Sequence, residues 1–279
     1  MREITLAEQK QMMLEMMKDF DAFCNAHDLH YFLTGGSMLG AVRHRGFIPW
    51  DDDIDVGLPR KDYEKLIRIY NEERTNPDYE LISILQNEDL YIPFAKIIHN
   101  KTVMQEAVDS DIKIGVFLDV FPLDFVGDTP EEARDLFKKT IALRRKIDVQ
   151  KWKIIRERSW YRNVIIFIIK ALSPKGRLKK LIWELDETCR KYEDKDYTKY
   201  CGFIVAANRG EKEILESEWF REFITVPFED LAFRIPKDHA KILSKFYGDT
   251  YMTPPKDAAQ KTHHSYKVYY KESAEGQDE

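Results

Sequence analysis

The sequence predicts an α+β protein: a small mixed sheet with helices, followed by a helical insertion and a mixed C-terminal part. Three observations predict it. Short runs rich in β-branched and aromatic residues, Leu29–Leu33, Ile54–Leu58 and Ile112–Phe121, punctuate the first half. From Thr129 to about Lys195 the pattern is mostly helical, with one interruption at Ser173-Pro174-Lys175-Gly176. Two more short strands, near Phe223–Val226 and Ala232–Ile235, precede a helix from about Asp238 to Tyr247, ended by Gly248. The chain divides into an N-terminal helix (1–27), a core carrying the chemistry (28–128), a helical and mixed part packed on it (129–265) and a disordered tail (266–279).

Each element has a local reason. Thr5-x-x-Glu8 is a capping box, and Leu6, Met13, Met17, Phe20 and Cys24 recur at helical spacing behind it. Leu29–Leu33 reads as a strand, Gly35-Gly36 as a turn, and Ser37 as the cap of a short helix from Met38 to about Arg43. After a loop at Gly46–Pro49, Ile54–Leu58 forms a second strand that Pro59 stops. Asp62–Tyr70 is amphipathic, and Ile112–Phe121 forms the third strand. Thr129-Pro130-Glu131-Glu132 starts a helix with a cap, a first-turn proline and an acid at the third position.

Composition narrows the function. The 279 residues are 43% hydrophobic and 33% charged, enough for a core and a well-solvated surface. With 44 Lys and Arg against 49 Asp and Glu, the net charge is −5, which argues against a nonspecific nucleic-acid binder. Cys24, Cys189 and Cys201 are far apart and form no CxxC pair, so neither a disulfide framework nor a structural zinc site is expected. Three reduced thiols fit the cytosol. The start, MREITLAEQK, carries no apolar signal core, and the apolar run Val164–Ile169 is far short of the roughly 20 residues a bilayer span needs.

The chemistry concentrates in Trp50-Asp51-Asp52-Asp53-Ile54-Asp55-Val56. Two carboxylates about 4 Å apart repel by about 4 kcal/mol at an effective dielectric near 20. A cation must therefore sit among them, or some must keep a proton. Asp53 and Asp55 share one face of a strand. About 17 residues earlier, Gly35-Gly36 lets a backbone approach a phosphate, and the Ser37 N–H and helix start point positive ends at it. Asp119, inside the apolar run Phe117-Leu118-Asp119-Val120-Phe121, is the third carboxylate of a two-magnesium site, with manganese as the substitute ion. The alternative for Asp119 is a bond to neighbouring backbone, and for the cluster a solvated loop, against which Trp50, Ile54 and Val56 speak. An EF-hand fails, because Val56 stands where glycine is required and Asp62 where glutamate is.

The segment from Phe32 through Thr34-Gly35-Gly36-Ser37-Met38-Leu39-Gly40, Arg43-His44-Arg45-Gly46-Phe47-Ile48-Pro49 and Trp50-Asp51-Asp52-Asp53-Ile54-Asp55-Val56 resembles the signature of the LicD family, which includes the fukutin-related transferases of animals. Ala95-Lys96-Ile97 is similar to the family's lysine-bearing strand, Val116–Asp124 to its third-carboxylate segment, and Phe246–Pro255 to its C-terminal motif. The resemblance implies a polymerase-β-type nucleotidyltransferase core with a divalent metal. It also implies transfer of a phospho-alcohol, typically phosphocholine, from CDP-choline or another CDP-alcohol to a sugar hydroxyl of a teichoic acid, lipopolysaccharide or lipid-linked precursor. The zinc site of the animal members is not carried over, because the cysteine spacing is missing. On this reading Asp51, Asp53, Asp55 and Asp119 bind metal, Asp52 supports them, and Gly35, Gly36 and Ser37 hold the donor diphosphate. Arg43 and Lys96 neutralise the CMP leaving group, and Asp119 takes the acceptor's proton. His44 and His263-His264 stay outside this set.

Two other functions compete: an Asp-x-Asp glycosyltransferase, disfavoured because only one strand precedes the motif, and a non-catalytic metal or nucleotide binder. Residues 151–182 surround Val164–Ile169 with Lys, Arg and Trp. They are expected to form a buried helix face with solvated flanks. The alternative is a basic amphipathic helix touching the inner face of the plasma membrane.

Overall fold

Thr5 opens the first helix as the spacing predicts: its hydroxyl accepts from the Glu8 N–H, and Glu8 accepts from the Thr5 N–H at 2.8 Å. The computed structural model describes residues 1–86, 90, 92–104, 114–151, 159–174, 176–206, 209–256 and 267–271, and of residue 170 the backbone alone. In chain order the strands are β1 (Glu3–Ile4), β2 (Phe32–Leu33), β3 (Asp55–Pro59), β4 (Tyr79–Ile82), β5 (Ala95–His99), β6 (Thr102–Met104), β7 (Phe117–Gly127), β8 (Tyr200–Gly202), β9 (Leu215–Glu216), β10 (Phe223–Phe228), β11 (Leu231–Pro236) and β12 (Val268–Tyr270). The α-helices are α1 (Leu6–Ala26), α2 (Gly35–His44), α3 (Arg60–Glu73), α4 (Pro130–Lys151), α5 (Trp160–Ala171), α6 (Arg177–Cys189) and α7 (His239–Tyr247). The architecture is α+β.

The main sheet runs β2-β3-β7-β5-β4, and the later half of β7 turns away to pair with β8, which pairs with β9. Only β3 and β7 in it run parallel, and they set Asp55 beside Asp119. Val56, Leu58, Leu118 and Val120 anchor that pair in the core with no exposed surface. Helix α1 buries Met13, Met16, Met17, Phe20 and Cys24 in the same apolar cluster, whereas Leu6 is solvent-exposed. Strands β10 and β11 form a separate antiparallel hairpin.

Several boundaries differ from the sequence reading. Helix α2 begins at Gly35, not Met38, because Thr34 is extended (φ −132°, ψ 179°) and its N–H bonds Asp55 O at 3.1 Å. Ser37 is therefore inside the helix and does not cap it. Strand β7 continues past Phe121 through Pro122. Its partner β5 covers only Phe117–Val120, so the missing proline N–H interrupts no bond to β5. Residues 112 and 113 of the expected third strand lie outside the described residues. Part of the expected disordered tail is ordered: β12 lies between β1 and β6, with Val268 buried. Its Val-Tyr-Tyr sequence suits a pleated, half-buried position, a signal the polar residues beyond it obscure. The expectation of a buried helix face around Val164–Ile169 is overturned for α5. Val164, Ile165, Phe167, Ile168 and Ile169 are exposed, and Ile166 alone among these six residues is buried.

Candidate active site

Helix α2 enters just behind β2 and points its first turn at the start of β3. Met38 N–H makes the first intrahelical bond, to Thr34 O, so the amides of Gly35, Gly36 and Ser37 have no partner within the helix. These amides and the helix dipole make the mouth of α2 positive. Asp51, Asp53 and Asp55 converge on it, and all three line one cavity with Gly35, Gly36 and Asp119.

The route to that convergence differs from strand alternation. Asp51 to Ile54 precede β3 in a loop held by Asp51 N–H to Ile48 O at 2.9 Å. The loop, not the pleat, brings Asp51 and Asp53 to the cavity. Carboxylate oxygens of Asp51, Asp52 and Asp53 lie within 4.8 Å of one another, so Asp52 belongs to the cluster although it does not line the cavity. The glycines serve the acids directly. A Cβ on Gly35 would stand 2.7 Å from Asp55 Oδ2, and one on Gly36 would stand 2.7 Å from Asp51 Oδ2. Ser37 does not line the cavity; its hydroxyl accepts from Asp55 N–H at 2.8 Å and fixes the start of β3.

Cations face this acid wall. Lys96, opposite Asp119 in the β5–β7 register, donates to Asp119 Oδ1, and its ammonium sits 3.4 Å from the Phe117 ring centroid. Lys96 is thus tied to the third carboxylate, not free to meet a leaving group alone. Arg43 lines the cavity and is steadied by Tyr251 O at 2.8 Å and His44 Nε2 at 2.9 Å. Arg209, which the sequence reading missed, also lines it. Its guanidinium donates to Tyr247 O–H at 3.0 Å, lies 5.0 Å from the Phe246 ring centroid, and is braced by Glu213, which accepts from its backbone N–H at 2.9 Å. No motif surrounds Arg209 in sequence; its signal is the Phe246-Tyr247 pair on which it rests. Arg144, Asp148 and Lys151 of α4 complete the polar wall. His263 and His264 lie outside the described residues.

The electrostatics follow from crowding. Burial first, then Asp53 and Asp52, push Asp51 up from its ordinary 3.8 to about 7. Burial, then Asp53, Asp119 and Asp51, hold Asp55 well above the usual carboxylate range, against the opposing pull of Arg209. Such a group keeps a proton in the folded state that the unfolded chain has lost. Asp51 therefore lowers stability as pH rises from about 4 to about 7, by at most a few kcal/mol at about 1.4 kcal/mol per unit. In chelator, the urea midpoint is expected to fall between about pH 5.5 and 7.5, and the fall is expected to be smaller in Asp51→Asn. An unchanged slope in the variant contradicts the assignment.

The donor set fits a hard divalent cation: it is all oxygen, densely anionic and backed by a positive helix start. Gly36→Ala tests how the glycine shapes it. Its methyl displaces the Asp51 carboxylate, and a loss of about 10–100-fold in manganese affinity is expected with little change in the cation-free melt. Gly35→Ala adds backbone strain, because Gly35 has φ +55°, and is expected to lose both affinity and about 1–2 kcal/mol of stability.

Comparison with known proteins bears on the same residues. The model of a family described as LicD/FKTN/FKRP, nucleotidyltransferase domain, matches residues 28–122, which hold the glycine turn, the acid cluster, Lys96 and Asp119. The lipopolysaccharide cholinephosphotransferase LicD of Haemophilus influenzae is 30% identical over 276 residues, 96% of this chain and 99% of that protein. The ribitol 5-phosphate transferase FKRP of Homo sapiens is 51% identical over 37 residues, 13% of this chain and 8% of that protein. An uncharacterized protein of Rickettsia typhi, RT0683, is 40% identical over 58 residues, 20% of this chain and 19% of its own length.

Proposed function

This chain belongs to the LicD family, and on that premise we propose that it transfers a phospho-alcohol from a CDP-linked donor to a sugar hydroxyl of a cell-surface glycan or its lipid-linked precursor. Phosphocholine from CDP-choline is the first choice, since the relative aligned over nearly its whole length is named a cholinephosphotransferase. The observation that carries the reading is the cavity itself, where Asp51, Asp53, Asp55 and Asp119 face Arg43, Lys96 and Arg209 beside the start of α2. The reading extends to the fold: the parallel β3–β7 pair with acids at its mouth, entered from a glycine-led helix, is assigned to the polymerase-β type.

Asp51, Asp53, Asp55 and Asp119 would hold Mg²⁺ or Mn²⁺, with Asp52 in support. When bound, the cation supplies Lewis-acid polarisation of the donor diphosphate and offsets its charge. The chain's own groups do the rest. The Gly35 and Gly36 amides orient the diphosphate, with Ser37 holding Asp55 in place behind them. Arg43 and Arg209 stabilise the charge that builds on the departing CMP. The acceptor oxygen attacks the phosphorus that carries the alcohol, the bond to CMP breaks, and Asp119, held by Lys96, takes the hydroxyl proton. Positioning and charge stabilisation supply most of the rate.

Incubation with magnesium, a glycan acceptor and each of CDP-choline, CDP-ethanolamine, CDP-glycerol, CDP-ribitol and a UDP-sugar tests this. Release of CMP with phospho-alcohol on the glycan supports it. Release of UDP with sugar transfer makes the protein a glycosyltransferase, and no release from any donor makes it a binder; either outcome overturns the proposal.

A further inference from the structure

Helix α5 presents a broad apolar surface to solvent. Trp160 is 77% exposed, Phe167 59%, Ile165 53% and Leu172, just past its end, 78%. A patch of this kind on a folded protein marks an interaction surface. Twelve residues make a helix about 18 Å long, well short of the roughly 30 Å of a bilayer core. Among the described residues no helix is long and apolar enough to cross a membrane. A helix of this length and character can lie on a membrane but not span one.

Charge identifies the occupant. From Ser159 to Trp183 the sequence holds Arg162, Lys170, Lys175, Arg177, Lys179 and Lys180, with no Asp or Glu, in a chain whose net charge is −5. Arg162, Arg177 and Lys180 are exposed. A second copy docking through the same face about a two-fold axis would set these cations against themselves. An anionic lipid surface matches both the apolar face and the cationic rim. Trp160 and Tyr161 at the start of the helix suit the headgroup level.

We infer that α5 and the start of α6 dock the protein on the surface of an anionic bilayer. The placement has a use. Helix α5 packs on α4, with Gln150 Nε2 donating to Ser173 Oγ at 2.9 Å across their ends. Arg144, Ile147, Asp148 and Lys151 of α4 line the catalytic cavity. Docking through α5 thus brings the cavity beside the membrane, where a lipid-linked glycan would present its sugar. That use rests on the transferase reading; the docking does not.

The test is sedimentation of the full chain with phosphatidylglycerol-containing vesicles and with pure phosphatidylcholine vesicles. Pelleting with the anionic vesicles alone is expected, weakening as salt rises from about 0.05 M to about 0.3 M. The triple variant Ile165→Ser/Phe167→Ser/Ile168→Ser and the charge variant Arg177→Glu/Lys180→Glu are each expected to bind about tenfold less or weaker still. Both alter exposed side chains, so their melts and their turnover of a short soluble acceptor should match the parent. Binding is read without catalysis, so an inactive protein that pellets refutes the transferase reading and leaves the docking standing. A parent that stays in the supernatant at low salt, or variants that pellet as well as it does, overturn the proposal. So does a parent that sediments as a dimer which the triple variant dissociates, because the face then belongs to a second copy.

Discussion

Asp55→Asn is expected to lower cation-dependent turnover by about a thousandfold or more and, at the same time, to make the cation-free protein more stable. The two effects share one cause. Asp55 sits among Asp51, Asp53 and Asp119, is hemmed in by burial, and is held well above the usual carboxylate range. Asparagine keeps its shape, so the contacts with Gly35 and the Ser37-bonded start of β3 persist. What it removes is an anion that the fold tolerates badly without a cation. CMP release measures the first effect, and a urea midpoint in chelator at pH 7.5 measures the second. Activity and stability falling together would make Asp55 an ordinary structural residue. Activity surviving would remove it from the site.

The second large effect is on stability alone. Arg60, at the start of α3, is buried and makes a bidentate pair with Asp124 of β7, at 2.6 and 2.9 Å, and a further bond to Asp186 of α6 at 3.1 Å. Arg190 then bonds Asp186 at 2.9 Å and forms an ion pair with Glu64 at 2.8 Å. The network ties α3, β7 and α6 together through residues that do not line the cavity. Arg60→Ala leaves two buried carboxylates without their shared cation, and a loss of about 3–5 kcal/mol is expected. The double variant Arg60→Leu/Asp124→Leu, with Asp186 still held by Arg190, should recover part of that loss. A single variant that loses under about 1 kcal/mol would show that water replaces the guanidinium at little cost.

Much of the site could be read directly from the residues, because its chemistry is local. Gly35-Gly36 and the Asp51–Asp55 cluster lie within about 20 residues of each other, and so much charge between Trp50 and Val56 admits few explanations. Asp119 was legible for a related reason, an acid inside an apolar strand. Arg209 was not. It reaches the cavity only because β8 and the turn after it fold back on β7, and nothing near position 209 marks that contact. The roles of Ser37 and the glycines were also only half legible. Periodicity placed them at a turn, but Asp51 reaches the helix start through the loop before β3, and Asp55 through register between β2, β3 and β7. Among the elements, those with strong end signals, α1, α4 and the β10–β11 hairpin, were legible. The short β4, β6, β8 and β9 were not, because two to four residues carry too little pattern to stand out from loops.

Manganese titration of the parent and of Asp55→Asn, with free ion followed by its paramagnetic resonance signal in the presence and absence of CDP-choline, tests the central claim most directly. The parent is expected to deplete the free-ion signal, and to do so more tightly when CDP-choline is present. Asp55→Asn should leave most of the ion free under both conditions. A parent that takes up no manganese, or a variant that takes it up equally well, would contradict the claim that these acids exist to hold a cation and a phosphorylated donor together.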